Sequence, residues 1–467
     1  RQEADENMDI LPRVGIVDVP EHIAYAEKHP ISSTRIPLTA YAAGTNGLVY
    51  QQVIVPFPAF DDAQLDLLPL YTACVTQLGV GERDYQQTQL WQAGIVGNYS
   101  ASASVRADKA DLELLRGNLC FSVKGLARNQ LAMTELLQQS LEHVRFDELP
   151  RLRELVAQIR NHKEASIVGN GHVLAMTAAA SGLSPSAHLN QRWSGLSALT
   201  WIKTLDQSID DSQQLTDLGV QLQAIHQLIL QQPRQFVLVA EEHRIDAFSE
   251  QMEGVFADRH NPVRATMADS QIDYRPALDA KSQCWATNTQ VSFCAKAYAT
   301  VASTHPDAAA LTVLGGVLRN GFLHRKIREQ GGAYGGGAAQ DNQSGAFRFF
   351  SYRDPRIEGT LQDFDASIQW LLEDPLDDDK IEEAVLGVIG SLDKPASPAG
   401  EAISAFHGEL NGRDKISLTD FRRRILGVSR EDLKRVAATY LRPEKAFEAV
   451  ITNSDLGAQT GMEMRDV

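Results

Sequence analysis

Cysteine is scarce and shows no pairing pattern. Cys74, Cys120, Cys284 and Cys294 are the four present, none in C-x-x-C spacing. That excludes a zinc ribbon and a thioredoxin-type redox site, and leaves buried free thiols as the expectation. No apolar run reaches the roughly 18 residues that a membrane-spanning helix needs. Positive charge is in deficit: 44 Lys and Arg stand against 60 Asp and Glu, a formal net charge of −16. The basic patch of a nucleic-acid binder is not visible. Neither nucleic acid nor membrane is therefore an expected partner. The phosphate-cradling G-x-x-x-x-G-K-[ST] is missing, as is the G-x-S-x-G of serine hydrolases. Among 12 histidines no two lie four apart, and neither H-x-x-E-H nor H-E-x-x-H occurs. A catalytic zinc typically takes three protein ligands, two of them commonly on one helix turn. No metal site is expected in this chain.

What is present suits a soluble globular protein of several domains. The 467 residues are 43% hydrophobic and 22% charged, enough for more than one core. The chain opens at Arg1 rather than Met, as a fragment or a processed product would. Without a secretory signal the default compartment is cytoplasmic, although a signal could have been lost with the N-terminus.

Residues 1–36 carry Pro12, Pro20 and Pro30 without periodicity and read as a linker or N-terminal extension. IPLTAYAAG and LVYQQVIVPF flank Thr45-Asn46-Gly47, which predicts a hairpin through an Asn-Gly turn. A helix is predicted over 62–79, a strand pair over roughly 88–106 and 117–127, helices from 128 to about 231, and a strand at 236–242. The order then repeats. A strand at 289–299 and a helix at 307–320 lead through glycines to a strand at 346–353, then several helices and a last strand at 446–453. Two α+β units of one topology fit this order, 37–262 and 263–467, each an antiparallel-rich sheet with helices packed on one side. LWQAGIVGN (90–98) and IREQGGAYG (327–335) match locally and support a duplication.

The most unusual segment is LHRKIREQGGAYGGGAAQ (323–340), with five glycines in seven positions and Tyr334 six residues after Arg328. Gly335, Gly336 and Gly337 leave the backbone free for close approach of another chain. An extended peptide could pair with it by strand addition. Arg328 and Tyr334 could then hydrogen-bond a scissile carbonyl, a phenol being a suitable donor to a developing oxyanion. A plainer reading stands beside this one. Gly331-Gly332 would cap a helix C-terminus, with His324, Arg325, Lys326 and Arg328 complementing its dipole. Spacing alone leaves both open. His143, His226 and His407 lie on helical patterns and read as packed or surface residues. Asp377-Asp378-Asp379 reads as a helix N-cap cluster.

Arg328-Glu329-Gln330-Gly331-Gly332-Ala333-Tyr334-Gly335 resembles the R-E-x-G-G-A-Y-G signature in the C-terminal half of insulinase/pitrilysin-type zinc peptidases, closest to their presequence-protease-like branch. Thr45-Asn46-Gly47-Leu48-Val49-Tyr50 resembles the opening of that family's third domain. Asp393 to Leu426, with Ser397-Pro398, Phe406, Gly412, Arg423 and Ile425-Leu426, resembles the tail of its fourth. The resemblance covers roughly 37–455. It implies two insulinase-like domains that form half of a peptide-degrading chamber. In that family H-x-x-E-H in the first domain holds zinc, and the fourth domain supplies Arg and Tyr to hold substrate. Here Leu70-Tyr71-Thr72-Ala73-Cys74 stands where the family's first domain has H-x-x-E-H, implying a degenerate helix that serves as core.

The resemblance therefore implies a zinc-free half, inactive alone. Arg328 and Tyr334 would be its catalytic and substrate-binding side chains, and Gly335, Gly336 and Gly337 its substrate-binding backbone. The cofactor would be zinc in another half. The implied partners are a zinc-bearing N-terminal half or subunit and short or unfolded peptides. Three arrangements are compatible: half of a single-chain peptidase, a separate zinc-free subunit, or a non-catalytic scaffold. A scaffold has no need of Arg328 and Tyr334.

Overall fold

The computed structural model describes residues 14–31, 35–257, 271–277, 280–373 and 375–467. The 1–36 extension lies partly outside these residues, and the expected boundary at 262/263 wholly outside them. The first half contains β1 (Leu38–Ala42), β2 (Leu48–Pro56), α1 (Asp62–Val75), α2 (Tyr85–Ile95), β3 (Asn98–Ala107), β4 (Leu115–Leu126), α3 (Gln130–Glu142), α4 (Leu149–Ala180), α5 (Pro185–Ser194), α6 (Leu196–Ser208), α7 (Ser212–Leu230), β5 (Gln235–Ala240), α8 (Ile245–Phe256) and β6 (Gln271–Ile272). The second contains β7 (Ser282–Ala286), β8 (Phe293–Ala299), α9 (Ala308–Leu318), β9 (Gly335–Asp341), β10 (Ala346–Tyr352), α10 (Glu358–Glu373), α11 (Asp378–Leu392), α12 (Pro398–Leu410), α13 (Lys415–Leu426), α14 (Arg430–Tyr440), β11 (Phe447–Thr452), α15 (Ser454–Gly457) and β12 (Glu463–Asp466).

The two sheets share one topology. The first runs β1-β5-β2-β4-β3, with β6 beside β4, and the second runs β7-β11-β8-β10-β9, with β12 outside β7. In each, one parallel pair (β1–β5, β7–β11) is followed by three antiparallel ones. The edge strands β3 and β9 are therefore equivalent. Their first residues, Asn98 and Gly335, are also the last residues of the local match seen in the sequence.

Two local expectations need correction. Asn46 (φ 51°) and Gly47 (φ 77°) do form the primed turn that Asn-Gly favours. They do not join a hairpin, because β5 lies between β1 and β2 and pairs with both. Residues 85–95 are helix rather than strand. Asp84 starts that helix by accepting from Gln87 N at 2.8 Å, and the Gln87 side chain answers to Asp84 N. That capping box outweighs the strand-like look of the sequence.

Each sheet packs its own helices on one face, as expected. The other face is covered as well, by a helix from the opposite half. Alternation in the strands makes both faces apolar. Val49, Val53 and Val55 of β2 join the first half's own core. Ile54, with Val237 and Val239 of β5, meets Ala399, Ala402 and Phe406 of α12. In the second half, Cys294 and Tyr298 of β8 face α9 and α10, whereas Phe293, Ala295 and Ala297 meet Ala175, Ala178 and Ala179 of α4. Small residues let that helix approach closely, and a Cβ on Gly171 would lie 2.5 Å from the Phe293 ring.

Helix α1 is core. Leu70, Tyr71 and Cys74 are fully or nearly fully buried, and Tyr71 Oη lies 2.9 Å from His226 Nδ1. All four cysteines are free and buried. Asp377 caps α11 by accepting from Asp379 N.

Candidate functional site

The site-bearing segment starts where α9 opens into wider turns. Residues Arg319–Gln330 are π-helical, a rare geometry that is common at functional sites. This stretch buries Phe322, Leu323 and Ile327 and leaves Arg328 exposed. Gly332 (φ +81°) ends it in the left-handed region. Gly332 N–H donates to Arg328 O (3.2 Å) and Ala333 N–H to Ile327 O (3.1 Å), a helix closure of the kind glycine permits. The helix-end reading of Gly331-Gly332 is thus correct, and it coexists with the placement of Arg328.

From that closure the chain enters β9, the edge of its sheet. Tyr334 N–H donates to Tyr352 O at 3.0 Å, and pairing continues from Gly335↔Tyr352 to Asp341↔Ala346. Among the described residues no strand pairs with the outer edge of β9. The Tyr334 side chain is 67% exposed, and its hydroxyl makes no hydrogen bond among the described residues. The Arg328 guanidinium carbon lies 5.9 Å from the Tyr334 ring centre, within cation–π range.

The glycines differ from one another. A Cβ on Gly335 would meet nothing within 4 Å, whereas one on Gly336 would lie 2.8 Å from Ile327 Cγ2. Gly337 is buried, against the expectation that all three lie open. The Phe350 ring and the Arg319 side chain fill its surroundings at 3.2 and 3.4 Å. A side chain at Gly336 or Gly337 would crowd its neighbours, whereas one at Gly335 would meet nothing within 4 Å.

Three supporting residues were not singled out in the sequence. Tyr352 meets Tyr334 edge-on, with ring centres 5.6 Å apart. His172 of α4 stands edge-on behind Tyr352 at 4.8 Å. Its Nδ1 is buried without a hydrogen-bond partner among the described residues, and burial pushes its pKa down. Arg353 adopts φ +49° and lays its guanidinium 5.3 Å from the Tyr352 ring centre. A non-glycine residue in that region carries strain of order 1 kcal/mol. The local pattern could have flagged Tyr352 and Arg353. Nothing local could have flagged His172, which lies in the other half of the chain.

Among the described residues no cluster of three or more His, Cys, Asp or Glu side chains could hold a metal ion. At the position that holds zinc in the resembled family's first domain, Leu70, Ala73 and Cys74 do not fit the metal. Burial raises the Cys74 thiol to about 12, so it is not a ready thiolate ligand. No described helix is long and apolar enough to cross a membrane.

Comparison with known proteins fits this description. Residues 1–205 match the family of associated domains of peptidase M16, subfamily C, and residues 284–453 the "PreP C-terminal domain". Similar folds occur at low identity in the peptidase M16 inactive domain from Pseudomonas fluorescens (TM-score 0.60, 14% identity, 95% of this chain and 100% of that one). They occur also in a protease from Helicobacter pylori (TM-score 0.64, 12% identity, 92% of this chain and 100% of that one). The chain is similar to the M16, or insulinase/pitrilysin-like, peptidases along most of its length and has the fold of the M16 inactive domain. Within them it corresponds to the C-terminal part of the presequence proteases. It is 28% identical to the mitochondrial presequence protease of Danio rerio over 466 residues and 29% identical to that of Yarrowia lipolytica over 444. In both cases the match covers 94% of this chain and 44% of the relative, so the chain spans under half the length of the curated relatives it matches.

Proposed function

We infer that this chain is the zinc-free half of a peptide-degrading zinc metalloendopeptidase. It closes the chamber and holds the peptide against the metal site of a separate, zinc-bearing half. Residues 37–262 and 263–467 are read as its third and fourth insulinase-like domains. The observation that carries the reading is Tyr334: among the described residues an exposed phenol without a hydrogen-bond partner, at the head of an unpaired glycine-rich edge strand, with Arg328 beside it. An extended peptide added along β9 would satisfy the free backbone groups of that edge. Tyr334 would donate to the scissile carbonyl as negative charge develops there. Arg328 would place the substrate. The substrates are short or unfolded peptides. The relatives' names place them in mitochondria, and this favours a mitochondrial compartment over the cytoplasmic default.

Tyr334→Phe tests the reading in the enzyme completed with its zinc half. Losing one donor to a developing oxyanion costs roughly 10²–10³ in kcat, and no change in melting temperature is expected from so exposed a hydroxyl. An unchanged kcat removes Tyr334 from the site. A lowered melting temperature with unchanged kinetics returns it to a packing role.

A further inference from the structure

The two equivalent edge strands end at the same place. Ser104 and Arg106 near the end of β3, and Asp341 at the end of β9, line one cavity of ≈ 280 Å³ at the seam of the two halves. Arg348 of β10 and Asn190 of α5 also line it. Leu112, from the turn after β3, lies against Gly345 in the turn after β9, so the strand ends are held together.

The charges in this cavity do not balance. Asp341 is already engaged: Arg348 Nη2 lies 3.3 Å from Oδ2, Ser344 Oγ donates to Oδ2 at 2.8 Å, and Gln343 N–H donates to Oδ1 at 3.0 Å. Arg348 Nε is buried with no hydrogen-bond partner among the described residues. The Arg106 side chain has no hydrogen bond or ion pair among the described residues. Burial, and then the charge of Arg413, disfavour its cationic form, and Asp341 opposes them only in third place. Two guanidiniums thus line a cavity whose one carboxylate is occupied, Arg106 half-buried and Arg348 with its Nε buried. A second carboxylate would meet them through a charge-assisted, planar contact.

We propose that this cavity binds a carboxylate, namely the free C-terminal carboxylate of a peptide lying along β9. The placement rests on the reading of β9 as a peptide-binding strand. β9 runs seven residues from Gly335 to Asp341, roughly 20 Å at strand rise. A peptide parallel to β9 that crosses Tyr334 would therefore bring its C-terminus to Arg106 some six residues later. The cavity thereby favours peptides with a free end over internal segments of long chains.

The test uses this chain with an N-terminally fluorescent 12-residue peptide, made as free acid and as C-terminal amide, followed by anisotropy. The free acid should bind about tenfold or more tighter, the scale of one charge-assisted hydrogen bond. Arg106→Gln should abolish the difference and leave amide binding unchanged. Equal binding of acid and amide to the unaltered chain overturns the proposal without recourse to any variant, and so does a difference that survives Arg106→Gln. Succinate separates the two sources of carboxylate. Displacement of the free-acid peptide by succinate, dependent on Arg106, supports the site. Arg106-dependent succinate binding with no binding of either peptide keeps a carboxylate site but sinks β9 as the peptide strand. Loss of kcat in Tyr334→Phe with equal acid and amide binding sinks the carboxylate site and keeps the reading of Tyr334.

Discussion

The two halves share a strand order and differ in the side chains they place at the entrance to the edge strand. At the entrance to β3 the first half has Trp91 and Gly97 where the second has Arg328 and Tyr334 before β9. Trp91 is half-buried under the Arg83 guanidinium, 4.4 Å from its ring centre. Arg328 and Tyr334 stand in solvent. The core shows the reverse. Helix α1 buries Tyr71 against His226, whereas the buried face of α9 is alanine, leucine, valine and glycine. At these two places the first half keeps its aromatic groups against packing partners, and at the β9 entrance the second half presents Arg328 and Tyr334 to solvent. A shared topology thus says where a site can form, and the side chains at the edge-strand entrance say which copy is the candidate.

The largest test of this contrast is acid stability. Burial lowers the pKa of His226 from 6.5 to about 4. The folded state then binds fewer protons than the unfolded chain between those pH values. Stability is fully present above pH 6.5 and is lost as pH falls towards 4, by about 3 kcal/mol in all. His226→Gln keeps a partner for Tyr71 Oη and removes the titration. Its unfolding free energy should be flatter over that window than that of the unaltered chain. Equal slopes would show that the first-half core does not set the acid limit.

Next comes the paired comparison of the two entrances. In the completed enzyme Arg328→Ala should cost roughly ten- to a hundredfold in kcat/KM, with KM raised and kcat lowered, as for loss of a charge-assisted contact. Its melting temperature should hold. Trp91→Ala should do the opposite, costing about 1–2 kcal/mol of stability with kcat/KM within about twofold. If Trp91→Ala damages catalysis as much as Arg328→Ala, both edge strands serve the substrate and the asymmetry between the halves is false.

Much of this is legible in the sequence, for identifiable reasons. The repeated element order follows from period-two and period-3.6 patterns that each segment carries locally. Arg328, Tyr334 and the helix-ending glycines announce themselves because glycine is so concentrated there. Gly337 misleads because sequence cannot tell a glycine needed for access from one needed for a neighbouring ring. The β1–β2 hairpin fails because β5 reaches that position from almost 190 residues later, and no local signal reports an inserted strand. The 85–95 helix does carry a visible signal, the Asp84/Gln87 capping box, which the strand-like residues around it obscure. His172 lies beyond reach, because its role exists only once α4 crosses the second sheet.

That crossing supplies the third test. A Cβ on Gly171 would come within 2.5 Å of the Phe293 ring, and Phe293 is fully buried. Gly171→Ala gains helix propensity of roughly 1 kcal/mol but overpacks a site that cannot yield. The net expected loss is about 1–2 kcal/mol, read by denaturant melts. A neutral or stabilising result would mean that α4 is not held against the second sheet as described.

The smallest effect addresses the reciprocal crossing. Helix α12 belongs to the second half in sequence, yet Ala399, Ala402, Ala405 and Phe406 pack on Tyr41, Ile54, Val237 and Val239 of the first sheet. Ser397 starts α12 by accepting from Gly400 N at 3.2 Å, with Pro398 in the first turn. Ser397→Ala removes that cap at a cost of about 1 kcal/mol. The size of the loss says little, because many surface changes match it. Its location is informative. If α12 covers the first sheet, loosening its start should speed amide exchange in β2 and β5, more than 150 residues away in sequence, before it affects β8 and β10 of its own half. Exchange follows local opening, so the two outcomes separate even when the melting temperature barely moves. Faster exchange confined to the second half would break the account of two halves that each cover the other's sheet.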